Sequence, residues 1–187
     1  MKVETTGLPG LLLIEPEVFR DARGYFLETF RADGYAAAGI PGPFVQDNVS
    51  FSHAGVLRGL HFQNPNGQAK LVFALEGEIF DVAVDVRAGS PSFGRWTGAR
   101  LSADSGRQLY IPRGFAHGFC VLSQTARVAY KCDALYDPGS ELSVMWNDPD
   151  IGIEWPLAAP VLSKKDATAP RLADIDRARL PRFEKPR

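Results

Sequence analysis

The segment between residues 55 and 85 places chemically reactive side chains among residues that are otherwise typical of buried strands. His61, Lys70 and Asp81 are the main examples, and burying such groups is unfavourable unless they are paired or used. A histidine supported by a carboxylate can act as a general base. A lysine ammonium in a water-poor cavity can stabilise negative charge on a carbonyl oxygen. Together these residue types indicate proton abstraction next to a carbonyl group, and inversion at carbon would also need an acid on the opposite face.

Short strands must position these side chains. In the stretch EIFDVAVDV, residues 78–86, Asp81 and Asp85 alternate with valines, so the carboxylates share one face of a strand. The alternative is that this polar face simply meets solvent. The chain's 18 glycines and 14 prolines separate many such segments, which predicts an all-β sandwich or barrel. A helix is expected over residues 31–39, with a few more short helices near the C-terminus.

Composition limits the class of protein. The 187 residues and the net charge of −1 favour one domain, 1–187, and give no basic field for a nucleic acid. No long apolar segment or signal sequence is present, so we expect a cytoplasmic protein without a membrane partner. Residues from about 155 to 187 are expected to pack on the barrel as an extension. Cys120 and Cys132 are expected to be buried free thiols.

Two stretches have the motif spacing of a known fold. Residues 55–77 and 106–117 resemble the two signature motifs of the cupin jelly rolls, also called double-stranded β-helices. In metal-binding cupins four residues of these motifs hold a transition metal, but here Gln63 and Lys70 occupy two of the four positions. A protonated lysine has no lone pair for a metal. We therefore expect no metal and no other cofactor, and a metal-dependent cupin oxygenase is a disfavoured alternative.

The chain also resembles one metal-free cupin family over nearly its whole length. The stretches DARGYFLETF, LRGLHFQ, QAKLVFALEGEIFDVAVDVR, YIPRGFAHGFCVLS and LSKKDATAP are similar to the dTDP-4-dehydrorhamnose 3,5-epimerases. This resemblance implies inversion of C3 and C5 of dTDP-4-keto-6-deoxy-D-glucose, which gives dTDP-4-dehydro-L-rhamnose. It also implies a homodimer in which exchanged N-terminal strands help to close the partner's site.

The resemblance assigns the catalytic roles. It implies that His61 is the base, with Asp81 as its partner carboxylate, and that Lys70 faces the C4 oxygen of the substrate. Tyr130 matches the acid that returns a proton from the other face, a role that suits a phenol because it keeps its proton at neutral pH. His53 matches no functional position and is expected to be structural. Asp85, likewise, is expected to pair with an arginine.

The resemblance also implies a set of substrate-binding residues. Arg23 and Arg58 match positions that bind the diphosphate, with Lys165 near the ligand, and an arginine fork can hold two phosphate oxygens. Strict alternation places Arg58 and His61 on opposite faces, so both can serve one ligand only if the strand bends, for which Gly59 is suited. The other matching positions are Phe26, Glu28, Gln46, Asp47, Asn48, His117, Glu141 and Asp166, the last of which could instead cap a short helix.

Two alternatives remain open at this point. An enzyme that inverts only C3 or only C5 of a dTDP-4-keto sugar, as in antibiotic-sugar pathways, would share the base, the lysine and most nucleotide contacts. A sugar-nucleotide-binding cupin without turnover would keep the pocket but would need no paired base and acid.

Overall fold

The computed structural model describes residues 1–184. Its strands are β1 (Lys2–Thr5), β2 (Leu12–Glu15), β3 (Val18–Asp21), β4 (Gly24–Leu27), β5 (Gln46–His53), β6 (Leu57–Gln63), β7 (Lys70–Glu76), β8 (Glu78–Asp85), β9 (Trp96–Ser102), β10 (Gln108–Ile111), β11 (Phe115–Val121), β12 (Thr125–Cys132) and β13 (Glu141–Ser143). Its helices are α1 (Ala32–Ala37), α2 (Lys164–Ala167) and the short 3-10 helices Leu172–Asp174 and Arg177–Arg179. The helix expected near residues 31–39 is therefore present.

The strands form two antiparallel sheets and one separate hairpin. The first sheet has the order β1-β2-β10-β7-β12-β5, the second has the order β13-β6-β11-β8-β9, and β3 pairs with β4. Strands that neighbour each other in a sheet are often distant in sequence, as expected for a jelly roll. The predicted all-β jelly-roll fold is confirmed. Both cysteines are buried and free, as expected.

Apolar side chains from both sheets fill the space between them. Val72, Leu109 and Val128 come from the first sheet, and Ile79 and Phe119 come from the second. Burial of such side chains is the main favourable contribution to the stability of this fold. The same two sheets hold the reactive side chains where the apolar filling ends.

Strand β8 is buried on both faces. Asp81 points toward the interior with no solvent exposure, so the alternative in which this polar face meets water is wrong. Val82 and Val84 lie on the other face, where Leu172 and Ile175 of the C-terminal segment cover them. The alternation predicted from sequence is therefore correct, but the valine face is covered by the C-terminal segment instead of filling the barrel.

The C-terminal segment is attached to the barrel by backbone hydrogen bonds. The Leu57 amide donates to the Val161 carbonyl at 3.0 Å, and the Val161 amide donates to the Gly55 carbonyl at 2.8 Å. Residues 185–187 of the predicted extension lie outside the described residues. Within residues 1–184, no helix has the length and apolar character needed to cross a bilayer.

Asp85 has a structural role, as the sequence indicated. Its carboxylate accepts hydrogen bonds from the guanidinium of Arg87, at 2.7 and 2.9 Å, and from the hydroxyls of Ser90 and Ser92. Burial raises the pKa of Asp85, but these donors outweigh burial and the net pKa is lowered. The prediction that Asp85 pairs with an arginine is confirmed.

Candidate active site

His61 lies on β6 and is paired with a carboxylate from the C-terminal segment. Its Nε2 lies 2.6 Å from Oδ1 of Asp166, and because a carboxylate can only accept, the imidazole donates. Ser163 caps α2 by accepting a hydrogen bond from the Asp166 amide, which fixes the helix start. Burial raises the pKa of Asp166, but the hydrogen bond from His61 helps to lower the net value. An ionised partner can orient the imidazole and stabilise its protonated form.

The expected pairing of His61 with Asp81 is wrong. Strand β11 lies between β6 and β8, so the two residues are not on neighbouring strands. On β11, His117 stands directly opposite His61, and its Nε2 lies 2.7 Å from Oδ1 of Asp81. The structure therefore has two histidine–carboxylate pairs, and Asp166 takes the place at His61 that the sequence interpretation gave to Asp81. A catalytic role for Asp81 stays a prediction.

Lys70 and Tyr130 approach from the opposite sheet. Lys70 begins β7 and stands opposite Cys132 of β12, so Tyr130, two residues earlier on β12, projects from the same face as Cys132. Burial lowers the pKa of Lys70 and raises the pKa of Tyr130. The raised pKa keeps the phenol protonated at neutral pH, as an acid requires.

A bulge in β6 lets Arg58 and His61 face one space. The register between β6 and β11 shifts between these two positions, and Gly59 between them has a φ of +117°. A Cβ at Gly59 would lie 2.6 Å from the Cα of Gly118, so glycine is required for both conformation and space. The bend that the sequence analysis required at Gly59 is confirmed.

Two adjoining cavities gather most of the predicted site residues. The larger, about 440 Å³, is lined by Arg58, His61, Lys70, His117, Tyr130, Lys165 and Asp166. A second cavity of about 250 Å³ shares His61, Lys70 and Tyr130 and adds Gln46, Asn48 and Glu141. The imidazole and the ammonium therefore face a common space, as the proposed chemistry requires.

Four predicted binding residues do not reach these cavities within one chain. Arg23 and Phe26 lie on the β3-β4 hairpin, where Phe26 is 70% exposed, and the exposed Glu28 follows the hairpin. Asp47 lies on the face of β5 opposite to its neighbours in sequence and binds the Lys131 ammonium at 2.8 Å. Their substrate contacts stay predictions.

Sequence reasoning missed Tyr136. Tyr136 donates its hydroxyl hydrogen to Glu141 at 3.1 Å, and its amide donates to the side chain of Gln46 at 2.8 Å. Tyr136 lines the second cavity, as does Gln63, which the cupin motif spacing had placed inside the barrel. Tyr136 lies in the turn-rich stretch DALYDPGS. A turn does not need an aromatic residue to form, and this was the signal that could have marked Tyr136 as a site residue.

The site can therefore perform acid–base chemistry at carbon. A supported imidazole and a second histidine lie on one sheet, and a lysine and a protonated phenol lie on the other. Such a set can remove a proton next to a carbonyl group, hold the resulting enolate and return a proton. Arg58 and Lys165 add positive charge for an anionic ligand such as a diphosphate. Fold and site define a jelly-roll isomerase that acts on carbon acids.

Comparison with known proteins identifies the family. The family model described as dTDP-4-dehydrorhamnose 3,5-epimerase matches residues 5–174. An enzyme of that name from Pseudomonas aeruginosa is 51% identical over 178 residues, covering 94% of this chain and 98% of the relative. The chain belongs to the dTDP-4-dehydrorhamnose 3,5-epimerase family, which confirms the predicted family and enzyme class.

Two further relatives agree with this assignment. The enzyme of the same name from Neisseria gonorrhoeae is 53% identical over 182 residues, and the match covers 96% of this chain but only 55% of that longer relative. A solved dTDP-6-deoxy-D-glucose-3,5-epimerase from Legionella pneumophila, in complex with dTDP-4-keto-L-rhamnose, has 51% sequence identity and a TM-score of 0.95. That comparison covers 98% of both chains.

Proposed function

We propose that this chain inverts C3 and C5 of dTDP-4-keto-6-deoxy-D-glucose and so forms dTDP-4-dehydro-L-rhamnose. The observation that carries the proposal is the cavity shared by His61, Lys70 and Tyr130, in which the base has a buried carboxylate partner. The family assignment supports the substrate, because C3 and C5 both flank the C4 ketone. One enolate strategy then serves both centres.

Each inversion consists of two proton transfers. His61 Nε2 is engaged by Asp166, so the other ring nitrogen, Nδ1, takes the proton from carbon. The electron pair of the broken C–H bond forms a C=C bond with C4, and the carbonyl electron pair moves to O4, where the Lys70 ammonium stabilises it. Tyr130 then donates its hydroxyl proton to the carbon from the opposite face. Proton return to the phenolate from the imidazolium through solvent restores the site, so the sugar changes only in configuration.

Solvent labelling tests this proposal. The protein is incubated with dTDP-4-keto-6-deoxyglucose in D₂O, and deuterium is followed by NMR at each carbon. We expect label at both C3 and C5. Label at one centre alone would indicate an enzyme that inverts a single carbon, and absence of label would indicate a binding protein without turnover.

Two histidine variants locate the base. His61→Ala should abolish exchange, because His61 lies with Lys70 and Tyr130 in both cavities, whereas His117, the other histidine with a carboxylate partner, lines only the larger one. His53→Ala is the matched control, since His53 is an exposed strand histidine outside both cavities, and it should exchange at the wild-type rate. Undiminished exchange in His61→Ala would assign the base to another residue.

We also propose that the chain works as a homodimer in the cytoplasm, in which the β3-β4 hairpin of one protomer completes the site of its partner. The exposed aromatic side chains of Phe19, Tyr25 and Phe26 on this hairpin support an interface there, because such patches are unfavourable in water. Arg23 on the same hairpin would then reach the partner's ligand.

A mixing experiment tests the shared site. Arg23→Ala and His61→Ala protomers are each expected to be impaired alone. Co-expressed, they form mixed dimers in which one of the two sites has both native residues, so activity should rise above either parent. Activity no higher than the average of the parents, or a monomer by light scattering, would contradict the arrangement.

A further inference from the structure

Asp81 is a buried carboxylate, and only one of its two oxygens accepts a hydrogen bond among residues 1–184. Its Oδ1 accepts the hydrogen bond from His117, whereas its Oδ2 is buried without a hydrogen-bond partner among residues 1–184. The residue has no solvent exposure. A buried oxygen that has lost water and gained no donor is unfavourable for stability. A buried carboxylate oxygen without a hydrogen-bond donor is expected where the negative charge of the carboxylate has a function.

Lys70, in turn, is a cation without a hydrogen-bonded anionic partner among residues 1–184. Its ammonium faces the cavity, and no side chain within residues 1–184 hydrogen-bonds it. Burial lowers the pKa of Lys70, which favours the neutral amine. A neutral amine would lose most of its ability to stabilise an enolate, so something must keep the proton on the nitrogen. The titratable groups that line the cavities with Lys70 or act on its charge are Arg58, His61, Asp81, His117, Tyr130, Cys132, Tyr136, Glu141, Lys165 and Asp166.

Most of these groups cannot supply a free negative charge. The imidazoles are neutral or positive, and burial raises the pKa values of Tyr130 and Cys132, so both stay protonated at neutral pH. Glu141 already accepts hydrogen bonds from Lys165 and from a tyrosine hydroxyl, which compensate its charge. Asp166 accepts from both His61 and the Gly59 backbone amide and does not act on the charge of Lys70. Asp81 therefore remains as the carboxylate that accepts the fewest hydrogen bonds, with one donor on Oδ1 and none on Oδ2.

We propose that Asp81 is a positioning residue whose unpartnered Oδ2 keeps Lys70 in its ammonium form, while His117 holds the carboxylate in place. A neutral imidazole that donates Nε2–H orients the carboxylate and leaves its negative charge in full. Asp81 shares the inward face of β8 with Ile79 and Ala83, and these residues pack in one cluster with Val72, which lies on the same face of β7 as Lys70. The pair on the second sheet is therefore placed to stabilise the cation on the first sheet. This inference rests on the proposed function of Lys70 as the group that stabilises the enolate.

The alternative is that Asp81 serves only His117. In that case the carboxylate orients the imidazole toward the substrate, and removal of either partner has the same effect. The two possibilities differ in what happens to the Lys70 proton, which can be measured without turnover.

The test is an NMR titration of the Lys70 side chain in protein labelled at lysine Cε and Nζ, with the signal assigned by its loss in Lys70→Arg. In the wild type we expect an ammonium throughout neutral pH. Asp81→Asn should lower the Lys70 pKa by about one unit or more, the size expected for loss of a nearby opposite charge. His117→Gln is the matched control, because it can still donate to Asp81 and should leave the Lys70 pKa in place.

Each outcome decides the inference. A wild-type Lys70 that is already neutral at pH 7 would overturn it, and this result needs no variant to fold. An unchanged Lys70 pKa in folded Asp81→Asn, or equal shifts in both variants, would also overturn it. Because the titration needs no substrate, these results are distinguishable from failure of the proposed epimerase activity, which the labelling experiment measures separately.

Discussion

Replacement of Asp166 by asparagine tests the assignment of the carboxylate that supports the base. Asparagine keeps the size of the side chain and an oxygen that can accept from His61, but it removes the negative charge. The pair is well shielded, since the side-chain exposure is 4% for Asp166 and 29% for His61, and the bond is 2.6 Å long. The variant should therefore fold while the imidazolium that forms during proton abstraction loses its stabilising charge.

The expected loss follows from the strength of that bond. A hydrogen bond to a charged group contributes about 1.5–3 kcal/mol. If this is lost in the transition state, the rate falls about 10- to 100-fold at about 1.4 kcal/mol for each factor of ten. The loss should appear in kcat and leave KM near the wild-type value, because the interaction matters most when the imidazole is charged.

The assay is the initial rate of deuterium incorporation at C3 and C5 in D₂O at saturating substrate. Asp174→Asn is a matched control, because Asp174 is an exposed carboxylate in the same C-terminal segment, outside both cavities. It should exchange at the wild-type rate. A wild-type kcat in folded Asp166→Asn would refute the reasoning, since the partner charge would then contribute nothing to proton abstraction.

Two further predictions concern how the fold holds the site. Gly59→Ala should destabilise the protein by about 3 kcal/mol or more, from the strained φ and the contact with Gly118. Gly89 also has a positive φ, of +86°, but open space around it, so Gly89→Ala should lose only about 1–2 kcal/mol in the same urea titration. Asp85→Asn should lower the free energy of unfolding by about 3–5 kcal/mol, because it removes the buried charge of Asp85 and leaves the largely shielded Arg87 charge unpaired. Since the folded-state pKa of Asp85 is lowered, its contribution is present above the ordinary carboxyl pKa of about 4 and is lost as pH falls below it, so the variant should show a weaker acid dependence.

The strand pattern and the site chemistry could be predicted from sequence because they depend on local spacing. Alternation along β8 places the side chain of Asp81 on the face opposite to its valine neighbours, and this holds whichever strands pair with β8. The need for a bend at Gly59 followed from two sources. Alternation puts Arg58 and His61, three residues apart, on opposite faces, and the family resemblance implies that both serve one ligand.

Strand order and the position of the C-terminal segment could not be predicted in the same way. The sequence places Asp81 twenty residues after His61, on a strand that is close in sequence, and neighbouring strands in sequence often pair. Here β11 inserts between them, and its own histidine takes Asp81 as a partner. The partner of His61 instead comes from 105 residues further along the chain. Insertion of a distant strand depends on the packing of the whole barrel, which local periodicity does not contain.

Because Asp166 belongs to the C-terminal segment, catalysis depends on how that segment is attached to the barrel. The segment carries the partner of the base, and the hydrogen bonds between Val161 and the backbone near β6 place it against the strand that carries the base itself. Its helix α2 has only four residues, so it depends on this attachment for its structure. If the segment opened locally, the barrel would keep Lys70 and Tyr130 in place, but His61 would lose its carboxylate. The protein should therefore lose epimerase activity at lower denaturant concentrations than those that unfold the barrel.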